Sequence, residues 1–418
     1  MIKSELLSNG IRVVAQEMPG YHSASIGVWV RTGAVNEKSD IAGISHLIEH
    51  MMFKGTKERS ASDIAAEMDG VGGQINAFTS KECTCYHATV TDEHIDMAAK
   101  LLADMVLNSV YDEGEMQKEK GVITEEISMI EDSPEDMVHD LHNEVFFAGH
   151  NNSNSILGTR ETVSSLSRAN IVDYLKLRYT SDKVVIAVAG NINMAELKPV
   201  LEEAFFALPK PSGKTDDLPE FIRPKQKIIT VREKDNEQVH LCVGFPGVAL
   251  SVNIYPLYIL NNLFGGSMSS RLFQRIREER GLTYSIYSYP STYTSGGMYS
   301  LYAATRPDQT KEVIELSLKE IRQLSSSGVT KEEFLRAKDQ LKGNFILGSE
   351  SVGGRASNLG KNMTLLDRVI TVEENIRLIE AVTPDDVNAL LEKIFDEESL
   401  CATFIGRVDK AEAEGWFK

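Results

Sequence analysis

Up to residue 90, apolar and polar positions alternate in short runs, the period of half-buried strands. Ile11–Gln16 and Ser25–Thr32 read as one hairpin pair, and Ile75–Thr79 with Thr84–Val90 as another. Beyond them the period lengthens to that of a helix, over 94–108 and again over 113–131. Between the two strand pairs lies GISHLIEHMMFKGT, residues 43–56. Asp40 offers an N-cap before it and Gly55 a stop after it, so the stretch predicts a helix of about three turns. Strand pairs followed by helices predict an α+β fold, with helices stacked on a largely antiparallel sheet.

The pattern breaks at 208–225. LPKPSGKTDDLPEFIRPK carries Pro209, Pro211, Pro219 and Pro224, alternating charge and no apolar period. It divides the chain into a domain over 1–210, a linker over 211–225 and a second domain over 226–418. The two halves end alike. Ser167 and Thr383 each cap a helix that an apolar strand follows, and the strands end at Gly190 and Gly406. Ile171, Tyr174 and Leu175 match Val387, Leu390 and Leu391 at one offset of 216 (387 − 171, 390 − 174, 391 − 175). A shared offset through helix, loop and strand predicts an internal duplication, hence two homologous domains.

Composition sharpens this without redirecting it. A chain of 418 residues exceeds one ordinary core, and 42% hydrophobic with 25% charged residues is the balance of a globular protein. The formal charge of −17 repels phosphate backbones, which argues against nucleic-acid binding. An acidic interior would favour basic ligands. Met1–Gly10 lacks the basic and apolar regions of a signal peptide, and no apolar run reaches the ~18 residues of a membrane span. Cys83, Cys85, Cys242 and Cys401 fit reduced structural thiols. Together these predict a cytoplasmic protein without a membrane partner.

The chemistry concentrates in His46, Glu49 and His50. On a helix, residues i and i+4 lie one above the other, so both imidazoles can reach one Zn²⁺. Glu49 borders the same site and need not ligate. Zinc brings the pKa of a bound water to about 7, and a neighbouring carboxylate can accept that proton. Two histidines leave the site a ligand short, because a catalytic zinc takes three protein ligands and keeps one place for water. The helix EGEMQKEKGVITEEISMIE, 113–131, is the obvious source of the third. Glu119 and Glu126 are two turns apart on one face, while Glu125 and Glu131 compete on chemistry alone. Other histidines carry less. His139 and His142 stand at i, i+3 on a helix opened by Ser133-Pro134, and packing roles are expected of them.

HLIEH resembles the inverted zincin motif, and GISHLIEHMMFKGT the signature of the pitrilysin–insulinase metallopeptidases. The resemblance runs nearly the whole chain. It is strongest to the short two-domain members, bacterial relatives of the mitochondrial processing peptidase β-subunit. It implies one zinc ion per chain, held by His46, His50 and Glu126, with Glu49 as the catalytic base and Glu119 supporting catalysis beside the metal. GGQINAFTSKECTCYHATV resembles a substrate-binding edge strand, which implies that Asn76, Ala77 and Phe78 face the peptide. GGSMSSRLFQRIREERGLTYSIYSY resembles the C-terminal substrate-contact motif, here Arg277 and Tyr284. The family closes four homologous units into a chamber around its substrate. A chain with two units is therefore expected to be half of a clamshell that a homodimer completes, with Arg277 and Tyr284 reaching the partner's zinc site. Gly353-Gly354 matches a stretch that serves in the family as a flexible entrance loop.

The expected activity is that of a zinc metalloendopeptidase acting on peptides or presequence-like segments, basic ones if its chamber is acidic. Two other readings are a non-catalytic binding or assembly subunit of the same family, and a zinc hydrolase of a non-peptide substrate. The intact H-x-x-E-H weighs against the first, and the edge-strand motif against the second.

Overall fold

The most apolar strand of the first half organises its sheet. In the computed structural model, which describes residues 1–211, 218–223, 225–251 and 253–417, Val184–Gly190 is buried at every position. A strand with no wet face needs neighbours on both sides and layers above and below. It is β6 of a six-stranded sheet, with β1 (Ile2–Leu6), β2 (Arg12–Glu17), β3 (Ser23–Val30), β4 (Gln74–Thr79) and β5 (Thr84–Thr91), in the order β1-β2-β6-β3-β5-β4. The hairpin expected between β2 and β3 does not form, because β6 lies between them, parallel to β2 and antiparallel to β3. The β4–β5 hairpin forms as expected, pairing Asn76 with His87 and Phe78 with Cys85.

The second sheet has five strands, β7 (Ile228–Glu233), β8 (Val239–Pro246), β9 (Thr283–Tyr293), β10 (Gly296–Thr305) and β11 (Cys401–Gly406), ordered β7-β11-β8-β10-β9. Both sheets are antiparallel apart from one parallel pair each, β2–β6 and β7–β11. The fold is α+β with two homologous sheets. The parallel pairs share a register: Arg12 faces Val185, and Ile228 faces Cys401, each shifted by 216 (228 − 12, 401 − 185). Gly190 and Gly406 end their strands at φ +140° and +138°. Helices capped by Ser167 and Thr383 precede β6 and β11, each cap closing a capping box.

The chain forms two compact units that are not cut cleanly at the linker. Unit 1 comprises Met1–Ile127, Asn154–Asp217 and Leu347–Val372, and unit 2 Ser128–Ser153, Leu218–Ile346 and Glu373–Lys418. The domains expected over 1–210 and 226–418 thus each give one helix to the other unit. Of the linker expected over 211–225, residues 212–217 and 224 lie outside the described residues.

In unit 1 the helix Val352–Leu366 covers one face of the sheet, placing Leu359 and Met363 against Val14, Trp29, Cys85 and Val185. Gly353 and Gly354, expected in an entrance loop, form its first turn, where the Ser351 side chain accepts the Gly354 N–H at 3.0 Å. In unit 2 the helix Pro134–Phe146 covers the sheet with Met137 and Val138 against Cys242, Tyr302 and Ile405. The contacts are reciprocal. Trp29 lies opposite Val185 and Gly244 opposite Cys401, equivalent places in the two sheets. Trp29 packs on Gly360, nine residues after the helix cap Ser351; Gly244 packs under His142, nine after the cap Ser133. One unit puts the bulk on the strand and the other on the helix. His142 is fully buried, hydrogen-bonded to Thr403 Oγ1 at 3.1 Å and Ser300 Oγ at 3.2 Å, the packing role expected of it.

Candidate metal centre

The helix of the H-x-x-E-H motif spans Ile44–Met52. It buries Ile44, Leu47, Ile48, Met51 and Met52, which leaves His46, Glu49 and His50 on the remaining face. It starts later than the sequence suggests. Asp40 belongs to a short 3₁₀ turn, Ser39–Ile41, and the N-cap is Gly43 at φ +90°. Only glycine serves there, since a Cβ would lie 2.6 Å from the Leu157 carbonyl oxygen and the backbone is left-handed.

His46 and His50 sit one turn apart, ring centroids 4.6 Å from each other. Glu126 arrives from the helix Glu113–Asp132, its carboxylate oxygens each 3.8 Å from one imidazole, at His46 Nε2 and His50 Nε2. One donor atom from each of the three lies within 4.8 Å of the others, and among the described residues no second group of this kind occurs. Two imidazoles and a carboxylate are a familiar donor set for a catalytic zinc. Glu126 Oε2 is buried without a hydrogen-bond partner, a lone pair that a cation would take up. The residues therefore fit the metal. Burial, reinforced by His50, lowers the His46 pKa to about 4, so its imidazole is neutral and able to ligate at neutral pH.

Neighbouring groups orient these three. Glu119 Oε2 lies 3.0 Å from His50 Nδ1, while its other oxygen meets Lys54 Nζ at 2.7 Å. A carboxylate on Nδ1 holds the tautomer that presents Nε2 to a metal. Burial works against ionisation of Glu119, but Lys54 and His50 outweigh it and leave its pKa lowered. Glu49 Oε2 accepts a hydrogen bond from Thr79 Oγ1 at 2.5 Å. Burial raises the Glu49 pKa against that bond, and Glu126 adds to the rise. The result is a carboxylate with raised proton affinity beside the ligands.

β4 is an edge strand, paired on one side by β5. Of the residues expected to face a peptide, Asn76 and Phe78 project to one face; Ala77 packs towards the core on the other, the face of Thr79. Phe78 is 38% exposed and edge-on to Trp29 at 5.5 Å, so it is not a core phenylalanine. Arg277 and Tyr284 come together in unit 2, the guanidinium 4.8 Å above the tyrosine ring, and Tyr284 is largely exposed. Three neighbours had no place in the sequence reading: Thr79, Lys54 and Glu37. Thr79 closes the edge-strand motif, and Lys54 lies one turn beyond His50, a spacing that could have suggested it. Glu37, buried six residues before the helix cap, carried no local signal.

Two family models match the chain in order, the insulinase family of peptidases, M16, over residues 12–160, and the M16 inactive domain over 165–341. The uncharacterized zinc protease YmxG of Bacillus subtilis is 44% identical over 401 residues, 95% of this chain and 97% of the relative. An uncharacterized zinc protease of Streptomyces coelicolor is 36% identical, covering 93% of this chain and 86% of the relative. Among solved structures, the M16 inactive domain of Pseudomonas fluorescens superposes with a TM-score of 0.90 at 18% identity, over 98% of each chain. A protease from Helicobacter pylori superposes at 0.89 with 21% identity, over 97% of this chain and 99% of that one. At such identities these structures speak to the fold. The sequence relatives reach further: near-full-length identity of 44%, with the two models in succession, places the chain in the insulinase family of peptidases, M16.

Proposed function

We propose that the chain is a zinc-dependent endopeptidase in which Glu49 is the catalytic base. The observation that carries this is the convergence within 4.8 Å of Glu126 with His46 and His50, which share their helix with Glu49. The names of the relatives, zinc proteases, agree with it. Bound zinc would supply Lewis acidity to a water and to the scissile carbonyl. Glu49, steered by Thr79, accepts the proton of the attacking water and returns it to the leaving amine. The raised proton affinity of a buried carboxylate suits both transfers. Glu119 acts through His50 by fixing its tautomer. A peptide adds as a strand to the open edge of β4, where main-chain hydrogen bonds give affinity with little sequence selectivity. Asn76 and Phe78 then meet its side chains on one face. In the same reading a second copy of the chain completes the chamber, and its Arg277 and Tyr284 stabilise the oxyanion.

The test is Glu49→Gln. It should retain zinc by elemental analysis and lose nearly all cleavage of a quenched peptide library, and chelation should silence the wild type. Substantial turnover by Glu49→Gln would remove Glu49 from the role, and chelator-insensitive cleavage would remove the metal.

A further inference from the structure

We infer that Glu37 is a positioning residue for the metal site, acting through the first turn of the motif helix. The inference rests on the zinc reading above. The motif helix has no side-chain cap of its own, since its N-cap is Gly43. Its first N–H groups are buried, a position in which unpaired donors are costly. Glu37 supplies what is missing from outside the helix. Its carboxylate, 3% exposed, accepts the Gly43 N–H at 2.7 Å on one oxygen and the Ser45 N–H at 2.8 Å on the other. A carboxylate at this end also opposes the positive end of the helix dipole.

Ser45 is tied at its side chain too. Its hydroxyl lies 2.9 Å from Tyr174 OH, which lies 2.9 Å from Thr32 Oγ1, all inside the core. The residue immediately before His46 is therefore held at its N–H and at its hydroxyl. The peptide plane of Ser45 sets the azimuth of the next Cα–Cβ bond, so these bonds aim the His46 imidazole towards Glu126 before any metal arrives. Glu37 is itself located: Asn154 Nδ2 donates to its carbonyl, and Arg178 to the carbonyl of Asn36. Glu37 is turned onto these backbone N–H groups and is not among the three residues whose donor atoms converge. Its contribution is pre-organisation of the ligands, and the quantity it should change is metal affinity.

Glu37→Gln preserves volume but turns an amide NH₂ towards one of the two N–H groups. Zinc affinity, read by competition with a chelating dye, should weaken by about tenfold or more. Ile26→Val, a core truncation in the same unit, controls for general loss of stability. A merely structural cap predicts that both variants melt earlier and that neither alters zinc affinity. Tyr174→Phe, which releases the Ser45 and Thr32 hydroxyls and leaves Glu37 in place, should weaken zinc binding in the same direction and stands in if Glu37→Gln does not fold. Zinc affinities of Glu37→Gln and Tyr174→Phe within about twofold of wild type would overturn the inference. A wild-type protein that binds no zinc would instead overturn the metal reading on which it rests.

Discussion

Replacing Gly360 by alanine should destabilise unit 1, although alanine is the better helix former. A Cβ at Gly360 would fall within 2.5 Å of Trp29 Cδ1 and nearer still to Nε1, whereas ordinary contact begins at 3.4 Å. The indole or the helix must move by about 1 Å, and neither is free to, since Trp29 is buried against Leu359 and Met363. Overpacking of this kind costs about 1–3 kcal/mol, and the displacement places it at about 3. Helix propensity returns about 1, for a net loss of about 2 kcal/mol. Trp29→Ala alone should cost about 3–5 kcal/mol as a cavity. In that background Gly360→Ala has nothing to strike and should stabilise by about 1 kcal/mol. The coupling between the two sites is then about 3 kcal/mol, measurable by urea denaturation of the four proteins of the cycle, followed by circular dichroism. Additivity within about 0.5 kcal/mol, or a more stable Gly360→Ala single variant, would refute the reasoning. The same cycle exists in mirror form in unit 2. There Gly244→Ala strikes His142, with Cε1 at 2.8 Å, and His142→Ala should relieve it.

Two further outcomes follow from named contacts. Burial chiefly, with His139 and Arg223 adding, lowers the His142 pKa from the ordinary 6.5 to about 3. A base depressed in the folded state contributes stability above its unfolded value that is lost as pH falls through 6.5 towards 3. The loss amounts to at most about 5 kcal/mol, at about 1.4 per pH unit. Urea midpoints at pH 7.5, 5.5 and 4 should fall steeply in the wild type and less so in His142→Gln; parallel slopes would show that His142 is not the titrating group. Thr79→Val removes the hydrogen bond to Glu49 and should lower kcat/KM by about 10- to 100-fold, the worth of a bond to a charged acceptor, while zinc content stays unchanged. Unaltered kinetics would mean that Thr79 does not orient the base.

The parts of this molecule that obey a local period were legible in its sequence. The motif helix, the helices at 94–108 and 113–131 and the β4–β5 hairpin all follow from spacing between near neighbours. The repeat at 216 was legible because duplication preserves such spacing, and the shared register of β2–β6 and β7–β11 carries it into the sheets. What escaped depends on partners far along the chain. β2 and β3 adjoin in sequence, yet β6 separates them because a fully apolar strand must be central. The helices 134–146 and 352–366 lie in units other than those of their sequence halves, and nothing in their own patterns names the sheet they cover. Glu126 was one of several glutamates on chemistry alone, and family resemblance separated it before geometry did. Glu37 reads as an ordinary surface glutamate in its stretch VNEKSD; only the fold turns it onto the N–H groups of a helix whose cap lies six residues later.

The two units also separate what the scaffold needs from what the chemistry needs. In unit 1 the first α-helix after β3 carries His46, Glu49 and His50 on its outer face. In unit 2 the first α-helix after β8, the equivalent strand, is Tyr255–Phe264, with no histidine and no acid, and it buries Leu257, Ile259, Leu260, Leu263 and Phe264. The same layer closes both sheets, so its apolar face is what the fold requires, and the polar face of the motif helix is additional. Keeping His46 and Glu49 half-buried on one face opposes folding, because burial disfavours their charged forms. Removing a histidine of the ligand set should therefore abolish metal binding without collapsing the unit. His46→Ala, which deletes an imidazole left with a buried unpaired Nδ1, is the case in which apo stability should fall least. A unit 1 that unfolds on this substitution even without metal would show that the ligand face had become part of the core.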